Sequence, residues 1–289
     1  MRVFVGGASG YIGSAVARSL KRRGHHVLGS ARNEAAAEKL RAAGVEPVQA
    51  DLSDAASFGR AARSADAVIQ TASTSSVQSS DNEPRAAAAV LEAIAGEGKT
   101  FILTSGAWVY GSTGETPVTE ETPLRPFSLV AWRPAHEQAV LRAPKTRGIV
   151  IRPAWVYGRG GGTPGVWVSS AKDQRKVTVV GDGKSRWSTV HVDDLGELYA
   201  LLLEKAPGGT VFNGASAEVI TTGDAGRIVA RRHAAELSFW PLEEARRTLG
   251  PYADALASDQ IVRSPASLAL GWKPSSVTLA EDLATGSYG

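Results

Sequence analysis

MRVFVGGASGYIG, residues 1–13, is the stretch on which the fold turns. Val3-Phe4-Val5 is a short apolar run of β-formers, and Gly7-Ala8-Ser9-Gly10-Tyr11-Ile12-Gly13 follows it directly. An amphipathic helical pattern then occupies 11–23 and stops before Gly24. Glycines set between a strand and a helix are specific for dinucleotide binding, because they permit a tight turn and let a pyrophosphate approach backbone N–H groups. Gly13 allows close helix–strand packing, and the helix N-terminus adds positive partial charge. The spacing is GxxGxxG rather than GxGxxG. Gly7, Ser9, Gly10, Tyr11, Ile12 and Gly13 are therefore expected to contact a cofactor.

Outward from this unit, short apolar runs alternate with helical patterns. Strands are expected at 27–28, 45–50, 67–69, 100–104 and 149–151, and helices at 34–43, 55–63, 85–95 and 135–142. Such alternation predicts an α/β fold, a doubly wound parallel (Rossmann) sheet with right-handed crossovers. The polar, Pro-containing stretch 112–127 is long for a connection and reads as a functional loop. Beyond Gly158, RGGGTPG reads as flexible, 177–192 as strand, turn and strand, and 194–205 as a helix. The last seventy or so residues read as short helices and loops. The expected division is a dinucleotide-binding domain of 1–158 plus 190–215, with a small substrate-side subdomain of 159–189 plus 216–289.

The 289 residues are 43% hydrophobic and 21% charged, an ordinary globular composition that can bury a sizeable core. There is no Cys, so disulfide and thiolate chemistry are excluded. No apolar run approaches the roughly 20 residues that span a bilayer, and the chain opens on a strand pattern, so a cytoplasmic protein without a membrane partner is expected. Net charge is only +3, and the basic residues scatter as Lys21-Arg22-Arg23, Arg175-Lys176, Arg231-Arg232 and Arg246-Arg247. Nucleic acid requires a concentrated stripe, so it is not an expected partner. His25, His26, His191 and His233 lack metal-ligand spacing, and neither HExxH nor GxSxG occurs, so no metal is expected. The expected partner is a small-molecule substrate, with homodimerisation left open.

The end of the second strand decides between the two dinucleotides. An acid there bonds the ribose 2′-hydroxyl of NAD, whereas Arg accommodates the 2′-phosphate of NADP. The sequence is Leu28-Gly29-Ser30-Ala31-Arg32-Asn33, with Ala31 at the acid position. NADPH (NADP+) is the expected cofactor, with Arg32 and Asn33 at the phosphate. Asp51 and Leu52 are placed near the adenine, and Thr71, Ala72 and Ser73 near the pyrophosphate and ribose. Asp51 and Asp54 also read as N-caps.

These features, with TSGAWVYG (104–111), RPAWVYG (152–158) and GDGKSRWSTVHVDDL (181–195), resemble the extended short-chain dehydrogenase/reductase superfamily, in its NAD(P)-dependent epimerase/dehydratase-like branch. The similarity runs from residue 1 to about 213 and includes LGWKP at 270–274. The resemblance implies a Ser or Thr at the end of the fifth strand that orients a carbonyl. It also implies a Tyr-x-x-x-Lys on the next helix, where Tyr moves the proton and Lys lowers its pKa. Aligned on VYG, the Ser position falls at Gly106, beside Thr104 and Ser105. Arg133-x-x-x-Glu137 aligns with the family's Lys-x-x-x-Glu, which puts the Lys position at Arg133 and the Tyr position at Leu129. No Tyr lies between Tyr110 and Tyr157, and the only Lys in that interval is Lys145.

Arg133 stays charged at ordinary pH, so it can hold a ribose or stabilise an oxyanion without titrating. The candidates for catalysis are then Ser105, Tyr110, Arg133, His136 and Tyr157. Thr104, Arg133 and Pro153, at the ends of the fifth and sixth strands, complete the cofactor set. Trp108, Trp155 and Trp187 fall beside motifs expected at the nicotinamide end and suit an apolar substrate wall, with Arg186 as a further substrate contact. AWVYG occurs twice, at 107–111 and 154–158, and is expected to form two walls of one pocket. Three functions are open: an NADPH-dependent oxidoreductase of a small, fairly apolar carbonyl or imine with a non-standard proton donor; a catalytically silent NADP(H)-binding sensor or scaffold; and a sugar-nucleotide epimerase or dehydratase.

Overall fold

The computed structural model describes residues 1–73 and 79–289. The chain begins with strand β1 (Arg2–Gly6), helix α1 (Tyr11–Arg22), β2 (His26–Ala31), α2 (Glu34–Ala42), β3 (Glu46–Gln49), α3 (Ala55–Arg63), β4 (Ala67–Gln70), α4 (Ser79–Ala93) and β5 (Thr100–Thr104). It continues through α5 (Arg133–Leu141), β6 (Arg147–Pro153), β7 (Trp155–Tyr157), α6 (Gly162–Gln174), β8 (Lys176–Val180), β9 (Arg186–His191), α7 (Val192–Lys205) and β10 (Thr210–Gly214). β11 (Val219–Thr221), α8 (Thr222–Arg232) and β12 (Glu236–Trp240) precede four short helices that end the fold.

Seven strands form one parallel sheet in the order β10-β6-β5-β4-β1-β2-β3. Val3, Phe4, Val5, Val68, Ile69, Phe101 and Ile102 are wholly buried because both faces are covered, which explains their unbroken apolar runs. One face packs on α1 and α7 through Val16, Leu20, Leu195 and Leu198, and the other on α3 and α4 through Phe58, Ala62, Ala86 and Val90. The strand order reverses between β1 and β4, and the crevice outside their carboxyl ends is where ligands bind in such sheets. Among the described residues no helix is long and apolar enough to cross a membrane, and no group of His, Asp and Glu could hold a metal ion.

The sequence expectation stops at six strands in this sheet; β10 adds the seventh, at the β6 edge. Residues 162–174 form α6, although RGGGTPG reads as flexible. Gly161 occupies its N-cap and Pro164 its first turn, where the missing N–H costs nothing. β8 and β9 do not pair with each other: β8 pairs in parallel with β12, and β9 lies between β7 and β11. These strands, with α6 and α8, enclose a separate core built on Trp167, Val177, Trp187 and Val229. Helix α7 is capped by the His191 ring, whose Nδ1 accepts the Asp193 N–H.

The two AWVYG copies leave neighbouring strands, since β5 pairs with β6, yet they fold differently. Ala107–Tyr110 is a turn of 3-10 helix that ends at Gly111, whose φ of 72° and contact with the Arg125 carbonyl leave no room for a side chain. Trp155–Tyr157 is strand β7, because Thr189, Val190 and His191 offer it a backbone partner. The Trp108 and Trp155 rings meet edge to face, with centroids 5.6 Å apart.

Candidate active site

A cavity of about 600 Å3 opens at the carboxyl ends of β1 to β4. The Gly7 N–H donates to Ser30 Oγ (2.8 Å) and the Gly10 N–H to the Gly7 carbonyl (2.9 Å), which closes the turn. Gly7 has φ +84°, and a Cβ on Gly13 would lie 2.0 Å from the Gly7 carbonyl oxygen. Only glycine is accommodated at either position. Gly10 caps α1 without a side chain and the first turn, which borders the cavity, holds no acid, so among the described residues no side chain accepts from its amides. Such a terminus suits an anion.

Every sequence candidate from Gly7 to Ser73 borders this cavity: Gly7, Ser9, Gly10, Tyr11, Ile12, Gly13, Arg32, Asn33, Asp51, Leu52, Thr71, Ala72 and Ser73. Arg32 is exposed and makes no hydrogen bond or ion pair within the described residues. Asn33 also caps α2, its Oδ1 accepting the Ala36 N–H at 2.9 Å. Asp51 accepts from the Ser53 N–H and hydroxyl at 2.8 and 2.7 Å, which hold its carboxyl below the ordinary range. Asp54 is the cap of α3.

A second cavity of about 800 Å3 meets the first at Ile12 and Ser73. Thr104, Ser105, Arg133, Pro153, Trp108 and Trp155 border it, so these candidates are brought together. Trp132, Leu129 and Tyr252 complete a largely apolar wall. Thr104 Oγ1 shares a 2.6 Å hydrogen bond with the hydroxyl of wholly buried Tyr199, whose proton burial holds in place. The Ser105 hydroxyl is buried and has no hydrogen-bond partner among the described residues. Arg133 Nη1 donates to the Thr104 carbonyl (3.3 Å), Nη2 lies 3.3 Å from Glu83 Oε2, and the guanidinium sits over the Trp132 ring.

The remaining candidates lie elsewhere. The Tyr110 hydroxyl donates to Asn213 Oδ1 (2.8 Å) and accepts from Arg152 Nη1 (2.9 Å), in a buried network closed by the Arg152–Glu137 ion pair. The Tyr157 hydroxyl donates to the Val277 carbonyl, and its ring meets His191 edge to face. Both phenols are held above their ordinary pKa, chiefly by burial, and neither borders the second cavity. His136 is buried against Trp132, and burial, helped by Arg133, lowers its pKa to about 4. It is neutral at pH 7 and does not reach the cavity. Trp187 stacks behind Trp155 at 3.8 Å, one layer removed from the cavity. Arg186 is tied to Asp259 at 2.7 Å and does not reach it either.

Glu83 and Tyr252 are site residues that the sequence reading passes over. Glu83 has a detectable signal: Ala86, Ala87 and Val90, at i+3, i+4 and i+7, place a carboxylate on the buried stripe of α4. Tyr252, on the short helix Pro251–Leu256, reaches the cavity only through tertiary packing.

A nucleotide-sized crevice over a glycine turn, joined to an aromatic chamber, defines a dinucleotide-dependent class of protein. The chain belongs to the NAD dependent epimerase/dehydratase family, whose profile matches residues 3–215. Over its whole length it is similar to an uncharacterised protein of Schizosaccharomyces pombe, 31% identical over 298 residues that cover both chains fully. It is also similar to the 2′-dehydrokanamycin reductase of Streptomyces kanamyceticus, 29% identical over 215 residues, 70% of this chain and 58% of the relative. In fold it matches human epimerase family protein SDR39U1 with NADPH at TM-score 0.81 and 22% identity, covering 99% of each chain.

Proposed function

We propose that this protein is an NADPH-dependent reductase of a small, largely apolar carbonyl or imine compound. The observation that carries the reading is the junction of the two cavities at Ile12 and Ser73, one shaped for a dinucleotide and the other walled by Trp108, Trp132 and Trp155. Reductases among the chain's relatives support the reaction class. The residues fit the cofactor: the glycine turn and uncapped α1 would hold the pyrophosphate, and unpaired Arg32 beside Ala31 would take a 2′-phosphate. When bound, the dinucleotide supplies hydride to the substrate.

The chain's own groups do the rest. A guanidinium carries five N–H donors, and Arg133 directs one amino group to Thr104 and the other to Glu83, which leaves donors for a substrate oxygen or a ribose. Thr104, backed by Tyr199, offers a second polar contact at the end of β5. Tyr252 is the one phenol bordering the second cavity among the described residues, and a phenol keeps its proton at neutral pH, so it is the group we assign as proton donor. The tryptophan wall excludes water and selects flat or apolar substrates.

The test is direct. NADPH and NADH binding are compared by titration, and reduced-nicotinamide absorbance is then followed with aromatic and aliphatic ketones, aldehydes and cyclic imines. Tight NADPH binding without oxidation across that set would overturn the reductase reading. The alternative would then be a silent NADP(H)-binding sensor, a reading favoured by Leu129 standing on the cavity wall while Tyr110 and Tyr157 are bonded elsewhere. A sugar-nucleotide substrate is disfavoured because Arg186 is already engaged by Asp259.

A further inference from the structure

Arg133 is the only charged side chain bordering the second cavity among the described residues. Immediately behind it lies Glu83, a carboxylate 3% exposed. Glu83 Oε2 is 3.3 Å from Arg133 Nη2, and Glu83 Oε1 accepts the Ser73 hydroxyl at 2.7 Å. A buried carboxylate persists as an anion only when paired and hydrogen-bonded, and here both conditions hold. Burial holds the Glu83 carboxyl above its ordinary range, and Arg133 and Ser73 offset only part of that rise. On its other side the guanidinium is fixed by the Thr104 carbonyl and the Trp132 ring, 4.6 Å from the ring centroid. The cation is therefore neither free to swing toward an incoming anion nor electrically alone.

We infer that Glu83 is the specificity-determining residue of this chamber: by cancelling the charge of Arg133 it makes the cavity neutral, so that the site admits uncharged aromatic or apolar carbonyl compounds and turns anionic ones away. A carboxylate, sulfonate or phosphate entering the chamber meets a guanidinium whose charge is already compensated at contact distance. To engage it fully, the newcomer would have to displace Glu83 and strand a buried anion, which is strongly unfavourable. A neutral carbonyl needs only one of the remaining N–H donors and leaves the pair intact. Selectivity of this kind comes from an element that penalises the wrong ligand rather than one that rewards the right one. Ser73 also borders the nucleotide cavity, so the pair is anchored at the junction of the two. The inference rests on the reading of the second cavity as the substrate site.

The test uses the full chain and two fluorescent probes with the same rings: neutral N-phenylnaphthylamine and the anionic anilinonaphthalene sulfonate. Their Kd values are measured by titration, with Leu129→Trp, which narrows the chamber, as the control for site. The wild type is expected to favour the neutral probe. Glu83→Gln should shift the ratio of affinities toward the sulfonate by about tenfold or more. Arg133→Met leaves Glu83 unpaired and hence protonated, so its ratio should stay near that of the wild type; Glu83→Ala serves if Glu83→Gln does not fold. The double variant Glu83→Gln/Arg133→Met should return to the wild-type ratio. An unchanged ratio in the Glu83 variant, a shift that persists in the double variant, or a wild type that binds neither probe in the chamber would overturn the inference. Carbonyl turnover is measured separately, so a silent protein that still sorts probes by charge would sink the reductase reading and leave this one standing.

Discussion

His136 yields the most exacting prediction, because its environment converts directly into a pH-dependent stability. The ring is 7% exposed, packs on Trp132, and has a pKa lowered from 6.5 to about 4, by burial first and by Arg133 second. In the unfolded chain it takes a proton as pH falls through 6.5; in the folded chain it waits until about 4. A depressed pKa therefore contributes stability above the unfolded value that is lost as pH falls through the window from 6.5 to 4. At about 1.4 kcal/mol per pH unit, the loss across the window is about 3 kcal/mol. Urea unfolding of wild type and His136→Leu at pH 7, 6, 5 and 4 isolates this contribution, because other titrating groups cancel in the difference. The stability difference should move by about 3 kcal/mol in favour of the variant on acidification. A difference constant to within about 0.5 kcal/mol would refute the placement of a neutral, buried imidazole. The same result bears on function, since a histidine that stays neutral to such acidity is no general acid at pH 7.

Four further outcomes are expected. Gly13→Ala places a Cβ 2.0 Å from the Gly7 carbonyl and 2.6 Å from Thr71 Oγ1, so calorimetry should show dinucleotide affinity reduced at least about tenfold. Arg32→Ala should weaken NADPH about tenfold and leave NADH nearly unchanged, as read by competitive titration. Arg152→Met strands Glu137 in the interior and should cost about 3–5 kcal/mol in urea unfolding, while Arg152→Met/Glu137→Met should recover much of that loss. Tyr252→Phe should lower turnover of a carbonyl substrate roughly 100-fold while NADPH affinity stays constant.

The legible part of this protein is the part where neighbours in sequence are neighbours in space. β1, the glycine turn and α1 form one contiguous unit, and every cofactor candidate from Gly7 to Ser73 borders the expected crevice, because each follows the carboxyl end of a parallel strand. Legibility fails where a side chain's direction depends on distant partners. Tyr110 and Tyr157 stand fourth in identical pentapeptides, but their hydroxyls are captured by Asn213 and Val277, more than a hundred residues away. Trp187 is drawn behind Trp155 by the pairing of β7 with β9. α6 was hidden by the glycines at its start, and Tyr252 enters the chamber from a short helix that no local pattern connects to it.

Strand β6 and its neighbour β10 carry a consequence for how the chain is made. β6 lies against β5 on one side, and its other edge is closed only by Thr210–Gly214, in register from Ile149↔Thr210 to Pro153↔Gly214. A ribosome working at about 5–20 residues per second needs roughly 3–12 seconds to supply the sixty or so residues between them. For those seconds Ile149, Val150 and Ile151 sit on an open strand edge, the kind of template on which two nascent chains stick together. Crowded polysomes and slow translation through 154–209 are therefore the conditions under which this protein is most exposed to misassembly, before any of its finished interior can protect it.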